Sequence, residues 1–200
     1  SFIQYSFVPV VAIAFLMIFE QFVFRYVTTL PPMITQAEYG VYALQAFAVV
    51  ATGTAIKTML QFKPSATAIA KIIEWGISFD GSAAATPGKV ELIETDVAAT
   101  VTAHVAADIT KCDGAALMCG DPTTNLIQVG TAATGYTATV EGSTTAVRNL
   151  DAPQLIAPTT QFIKQFPLGS EPIVQISKFA RIRVTFGTSV NAYCWLKIEM

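Results

Sequence analysis

Charge is scarce in this chain of 200 residues: 12 Lys and Arg and 14 Asp and Glu, 13% in all, for a net charge of −2. There is no basic stretch of the kind that holds a phosphate backbone, so nucleic acid is not an expected partner. Histidine is scarcer still. The one imidazole, His104, would have to serve any Ser-His-Asp arrangement, and no GxSxG elbow supplies its nucleophile. A lone histidine beside Thr102, Ala103 and Val105 reads as a strand residue. Neither GxxxxGK[ST] nor GxGxxG occurs, so no phosphate-cradling loop is legible and no cofactor is implied. The three cysteines lack the CxxC pairs that structural zinc prefers. No repeat of solenoid or propeller length is present.

Cys112 and Cys119 share one loop-like stretch, KCDGAALMCGD, in which Gly114 and Gly120 give the chain freedom to close. They are a candidate disulfide in an oxidising compartment. Cys194 stands apart, in the last strand-like run. Asp113 and Asp121 offer calcium-type oxygens, but without the dense spacing of a calcium loop.

Apolar residues make up 52% of the chain. In residues 1–32, SFIQYSFVPVVAIAFLMIFEQFVFRYVTTLPP, no charge appears before Glu20, and Arg25 follows. A bilayer crossing needs about 20 apolar residues, so the segment reads as a hydrophobic helix. Three readings stay open: a membrane anchor, a helix buried in an assembly, or a non-native extension. The basic n-region and small-residue cleavage site of a secretory signal are missing. Met33, directly after Pro31 and Pro32, begins a stretch that reads like a natural start.

From Gly40 the pattern changes to short β-branched and aromatic runs separated by Gly, Pro, Asp and Ser. Strands are expected over 41–50, 55–62, 68–79, 89–95, 125–129, 137–141, 144–150, 161–165, 172–175, 180–186 and 191–199. In ARIRVTF, Ile182, Val184 and Phe186 point one way, and Arg181, Arg183 and Thr185 the other. In NAYCWLKIEM, Ala192, Cys194, Leu196 and Ile198 share a face opposite Tyr193, Trp195, Lys197 and Glu199. Such alternation marks half-buried strands, and the short link between these last two suggests a terminal hairpin. The expected fold class is all-β, an antiparallel β-sandwich or a barrel over 33–200, preceded by the hydrophobic helix of 1–32.

Candidate chemistry has a plainer reading at every position. Glu74, Asp80, Glu91, Glu94 and Asp96 form the densest acidic set, and paired carboxylates serve glycoside hydrolysis; their spacing equally fits turns and outward strand faces. Arg181 and Arg183 suit anchoring to an acidic neighbour in an assembly, or simply a solvated strand face. Trp75, Phe79, Tyr193 and Trp195 suit a sugar-stacking platform, or core and interface packing. The interface candidates are Arg181, Arg183, Tyr193 and Trp195; no catalytic or metal residue is assigned.

The stretch GTAIKTMLQFKPSATAIAKIIEWGISFDGSAAATPGKVELIETD, above all its part EWGISFDGSAAATPGKVEL, resembles a group of small phage and prophage structural proteins. FIKQFPLGSEPIV followed by KFARIRVTFGTSVNAYCWLKIEM resembles the end of that group. There a turn at the positions of Pro167, Leu168, Gly169 and Glu171 precedes an R-I-R-V strand (here 181–184) and a final aromatic strand (191–199). The similarity covers about residues 40–200 and is weakest over 105–126; residues 1–32 depart from it. The resemblance implies a jelly-roll-like fold and a non-enzymatic place on a virion, as capsid, capsid-decoration or tail-associated protein. The implied partners are copies of itself and other virion proteins, and low charge reduces the cost of desolvating such interfaces. Two alternatives stand beside it: a membrane-anchored surface protein, which requires residues 1–32, and a glycan- or receptor-binding tip module.

Overall fold

A computed structural model describes residues 40–46, 49–66, 68–82, 86–112, 126–142 and 145–200. The hydrophobic segment 1–32 lies outside these residues. Among those described there is no α-helix, and no helix long and apolar enough to cross a membrane.

Among the described residues fourteen strands form two antiparallel sheets. The first sheet takes β1 (Val41–Gln45), β2 (Val50–Ala51), β4 (Ala70–Asp80), β7 (Thr110–Lys111), β11 (Gln161–Gln165), β12 (Ile173–Val174) and β14 (Asn191–Glu199), in the order β11-β4-β14-β1-β7. Within it β12 also pairs with β4, and β2 with β14. The second takes β3 (Lys57–Phe62), β5 (Gly88–Thr95), β6 (Thr100–Ala103), β8 (Gly135–Val140), β9 (Arg148–Asn149), β10 (Gln154–Ile156) and β13 (Phe179–Thr185). Its order is β10-β5-β13-β3-β8-β6, with β9 on β5.

Both sheets feed one core. Leu44, Trp75, Ile77, Cys194, Leu196 and Ile198 enter it from the first sheet; Val90, Leu92, Ile182 and Val184 enter from the second. Each fully buried side chain of this size contributes roughly 1.5–3 kcal/mol. The inward sets on β13 and β14 are those that alternation marks out, and the expected bounds of β11 and β14 coincide with the observed ones.

Three expectations are corrected. The last two strands are not a hairpin: β13 pairs with β3 and β5, whereas β14 pairs with β1, β2 and β4 in the other sheet. Their apolar faces meet the core from opposite sides, and the arch between them is anchored by buried Phe186 and Val190. The run 125–129 is no strand in its described part; Ile127 makes only a single bridge to Pro64. The run 144–150 shortens to two residues on β5. Short strands β6, β7 and β10 were not among the expected strands.

Candidate functional site

The outer face of the first sheet is built around β14. Tyr193 and Trp195 point away from the core that Ala192, Cys194 and Leu196 enter. Trp195 lies opposite Gly76 on β4 and Gln45 on β1. A Cβ at residue 76 would overlap the indole, so the ring lies across β4 where glycine leaves the backbone bare. Trp195 Nε1–H donates to Glu74 Oε1 at 3.1 Å, and Lys197 Nζ sits 3.0 Å from the same oxygen. Tyr193 donates its hydroxyl to Gln45 Oε1 at 2.8 Å, and burial raises its pKa above the usual phenol value, with Cys194 adding to the rise. The two rings stand 6.4 Å apart, tilted by 38°. Half-exposed Ile163 extends the row on the other side of Gly76. This is a flat, partly exposed aromatic surface whose polar handles are already held by neighbours.

The other two aromatic candidates do not join it. Trp75 and Phe79 are buried in the core. The signal was present in EWGISF: period two sets Trp75, Ile77 and Phe79 on one face and Gly76 and Ser78 on the other.

Arg181 and Arg183 are neither solvated nor available to a neighbour. They point out from the second sheet, yet are 0% and 4% exposed. The chain after β5 and the segments on either side of β8 close over part of that face, bonding Arg181 and Gln61. Arg181 Nε donates to Gln61 Oε1 and one terminal N–H to Glu141 O, both at 3.1 Å; the other terminal nitrogen donates to Val97 O. Glu141 Oε2 lies 3.7 Å away. Burial pulls the Arg181 pKa below its ordinary value; Glu141 opposes that shift and Arg183 adds to it. Gln61 in turn donates to Ala132 O at 2.8 Å and Ala133 O at 3.1 Å, and accepts from Ala99 N–H at 2.8 Å. Arg183 Nε donates to Glu91 Oε1 at 2.6 Å. Gln61 and Glu141 were missed because nothing in a local pattern reports which distant segments close over a face.

The acidic set does not converge. Glu74 serves Trp195 and Lys197, Glu91 serves Arg183 and Lys89, Glu94 pairs with Arg148 at 2.9 Å, and Asp96 pairs with Lys178. Asp80 is exposed at the end of β4. Among the described residues no three His, Cys, Asp or Glu side chains come together as metal ligands. Asp113, Asp121 and Cys119 lie outside the described residues; Cys112 is exposed, and Cys194 is buried in the core, which raises its thiol pKa. A groove of about 250 Å³ runs between residues 52–57 and 138–141.

His104 is fully buried after β6. Its ring packs 5.3 Å from that of Tyr136, and Nε2–H donates to Gln45 O at 3.0 Å. Burial lowers its pKa, outweighing the raising effects of the Gln45 bond and Asp108. Above pH 6.5 the ring is neutral folded or unfolded, and stability does not change with its titration. Below that, the unfolded chain gains a proton that the folded one refuses, so stability falls by up to about 1.4 kcal/mol per pH unit until the folded pKa is reached. Urea melts between pH 5.5 and 7.5 should show this slope, and His104→Gln should flatten it; an unchanged slope in the variant would refute the assignment.

No protein family, curated protein or solved structure matches the chain.

Proposed function

We propose that residues 40–200 are a jelly-roll domain acting by contact rather than turnover, as a structural component of a bacteriophage particle, with copies of itself and neighbouring virion proteins as partners. The strand order supports the fold. In chain order β1, β3, β4, β5, β10, β11, β13 and β14 fall in the first, second, first, second, second, first, second and first sheet. They line up as β11-β4-β14-β1 over β10-β5-β13-β3, the arrangement that two nested Greek keys produce. Strands β6 to β8 are then an insertion between β5 and β10. The fold is shared by many functions, so the setting rests on the motif resemblance of residues 40–200 and on one physical observation.

That observation is where the charges go. In a chain with little charge, Glu91, Glu94, Asp151, Arg181 and Arg183 are all turned into the scaffold, while Leu155 and Leu168 are 80% and 96% exposed. The exterior is poorer in charge than the composition suggests, and low charge density suits the centre of protein–protein contacts. The test is density-gradient purification of particles from a lysate of the source cells, with peptide mass spectrometry of the fractions. The chain should band with particles; its recovery only as soluble monomer, absent from them, would end this reading.

The Trp195 surface favours a second reading, a glycan-binding module. Its test is binding to host polysaccharide, lost in Trp195→Ala with melting unchanged. Membrane anchoring depends on residues 1–32, outside the described residues.

A further inference from the structure

The turn at 167–171 links β11 to β12 and is closely ordered. Ser170 N–H bonds Pro167 O at 2.9 Å, and Gly169 takes φ 84°, the left-handed position of a type II turn. Gly169 N–H also donates to Glu171 Oε2 at 2.8 Å. Both flanks are pinned to β4, by Phe166 N–H to Ile73 O at 2.8 Å and Ile72 N–H to Pro172 O at 3.0 Å. The edge strand β11–β12 is thus interrupted by a stiff excursion whose tip, Leu168, is 96% exposed. A single exposed leucine needs no explanation. One fixed on a pre-ordered turn is a knob whose ordering cost is already met.

Its counterpart lies on the opposite margin. β11–β12 closes the first sheet on one side, and β10, carrying Leu155, closes the second sheet on that same side. The groove lies on the far side, where the chain leaves β2 for β3 and runs beside β8. Exposed Val140 stands between its lining residues Thr139 and Glu141. At about 250 Å³ it exceeds the roughly 150 Å³ opened by deleting a buried leucine side chain. The charges are complementary: Glu171 stands beside the knob, and Lys57, whose Nζ reaches Ala51 O at 2.7 Å, lines the groove together with Glu141, whose own carboxylate is held by Thr58 and lies 3.7 Å from the buried Arg181.

We infer that Leu168 of one copy seats in the 52–57/138–141 groove of the next, with Glu171 meeting Lys57, so that copies join head to tail. Such a contact is heterologous and builds a closed ring, or a filament if the rotation does not close. Leu155 and Val140 add apolar area along the two margins. The inference rests on the assembly reading above and names its contact.

The test uses the full chain in native mass spectrometry and sedimentation velocity. Wild type should form a concentration-dependent oligomer. Leu168→Asp should weaken association by about 30-fold or more, as loss of a contact hot spot does, with an unchanged melting temperature because the side chain is exposed. Lys57→Glu should weaken it too, and adding Glu171→Lys should restore it. Ala55→Trp should block the groove. Mixing it with Leu168→Asp should give a one-to-one dimer that grows no further, because only one intact junction remains. A monomeric wild type, an oligomer indifferent to Leu168→Asp, or no dimer in the mixture overturns the inference. Co-sedimentation with particles separates the failures: if the chain bands with them while Leu168→Asp leaves the oligomer intact, this contact is wrong and the virion reading stands. If the junction behaves as stated but the chain is absent from particles, the reverse holds.

Discussion

Glu91→Ala should remove about 3–5 kcal/mol of folding stability, against the roughly 5–15 kcal/mol that a domain usually has. Glu91 and Arg183 are both about 4% exposed, on adjacent strands β5 and β13 that place them directly opposite. Arg183 Nε and a terminal nitrogen reach Glu91 Oε1 at 2.6 and 2.5 Å, and Lys89 Nζ lies 2.5 Å from the other oxygen. When the carboxylate is removed, Lys89, half exposed, swings into water. Arg183, only 4% exposed, cannot follow it, so a guanidinium stays buried after losing the Glu91 carboxylate. The pair itself is worth far less than the cost of breaking it, since desolvating both ions consumes most of their attraction. Glu91→Leu combined with Arg183→Met should therefore cost less than Glu91→Ala alone. Urea melts of the three variants decide it: a single-variant loss under 1 kcal/mol, or a double variant no better than the single, would mean that water reaches the pair.

The chain that closes over Arg181 also marks the limit of what local pattern could tell. Period two assigned the right side chains on β13 and β14 to the core, because alternation is a property of the strand alone. It could not say that the opposite face is also buried, because that depends on Val97, Ala99, Ala132, Ala133 and Glu141 reaching it from far along the chain. Arg181 and Arg183 therefore look like a solvated face in sequence and are structural in the fold. The link 186–190 shows the same limit: its length suits a hairpin, and only the pairing of β13 with β5 and β14 with β4 reveals an arch between sheets. The aromatic surface was partly legible. Tyr193 and Trp195 follow from alternation, whereas Glu74, Gln45 and the bare backbone of Gly76 come from cross-strand register, which no single strand encodes. The turn at Leu168 was visible as Pro and Gly spacing, but not its rigidity or its place on a margin.

Trp75→Ala should cost about 3–5 kcal/mol, as expected for deleting a large, wholly buried aromatic, and it should do more than open a cavity. The indole packs 4.9 Å from Phe162 and its Nε1–H donates to Asp151 Oδ2 at 3.0 Å. The other carboxylate oxygen accepts from Ala152 N–H at 2.8 Å and meets the Lys164 ammonium. Asp151 lies two residues beyond β9, its own N–H directed at Leu92 O of β5, so this bond ties the second sheet to β4 and β11 of the first. It fastens the margin on which β10 and β11 stand. Asp151→Ala removes the acceptor from a buried donor and should cost about 1–3 kcal/mol. Trp75→Phe keeps most of the ring but loses the donor, so it deletes the same bond from the other end. If the bond fastens the margin, the two changes should not add: the double variant should cost about 1 kcal/mol less than their sum. Additivity within experimental error would show that Asp151 acts on Lys164 alone, and that the sheets are joined at this edge by packing and not by the indole hydrogen bond.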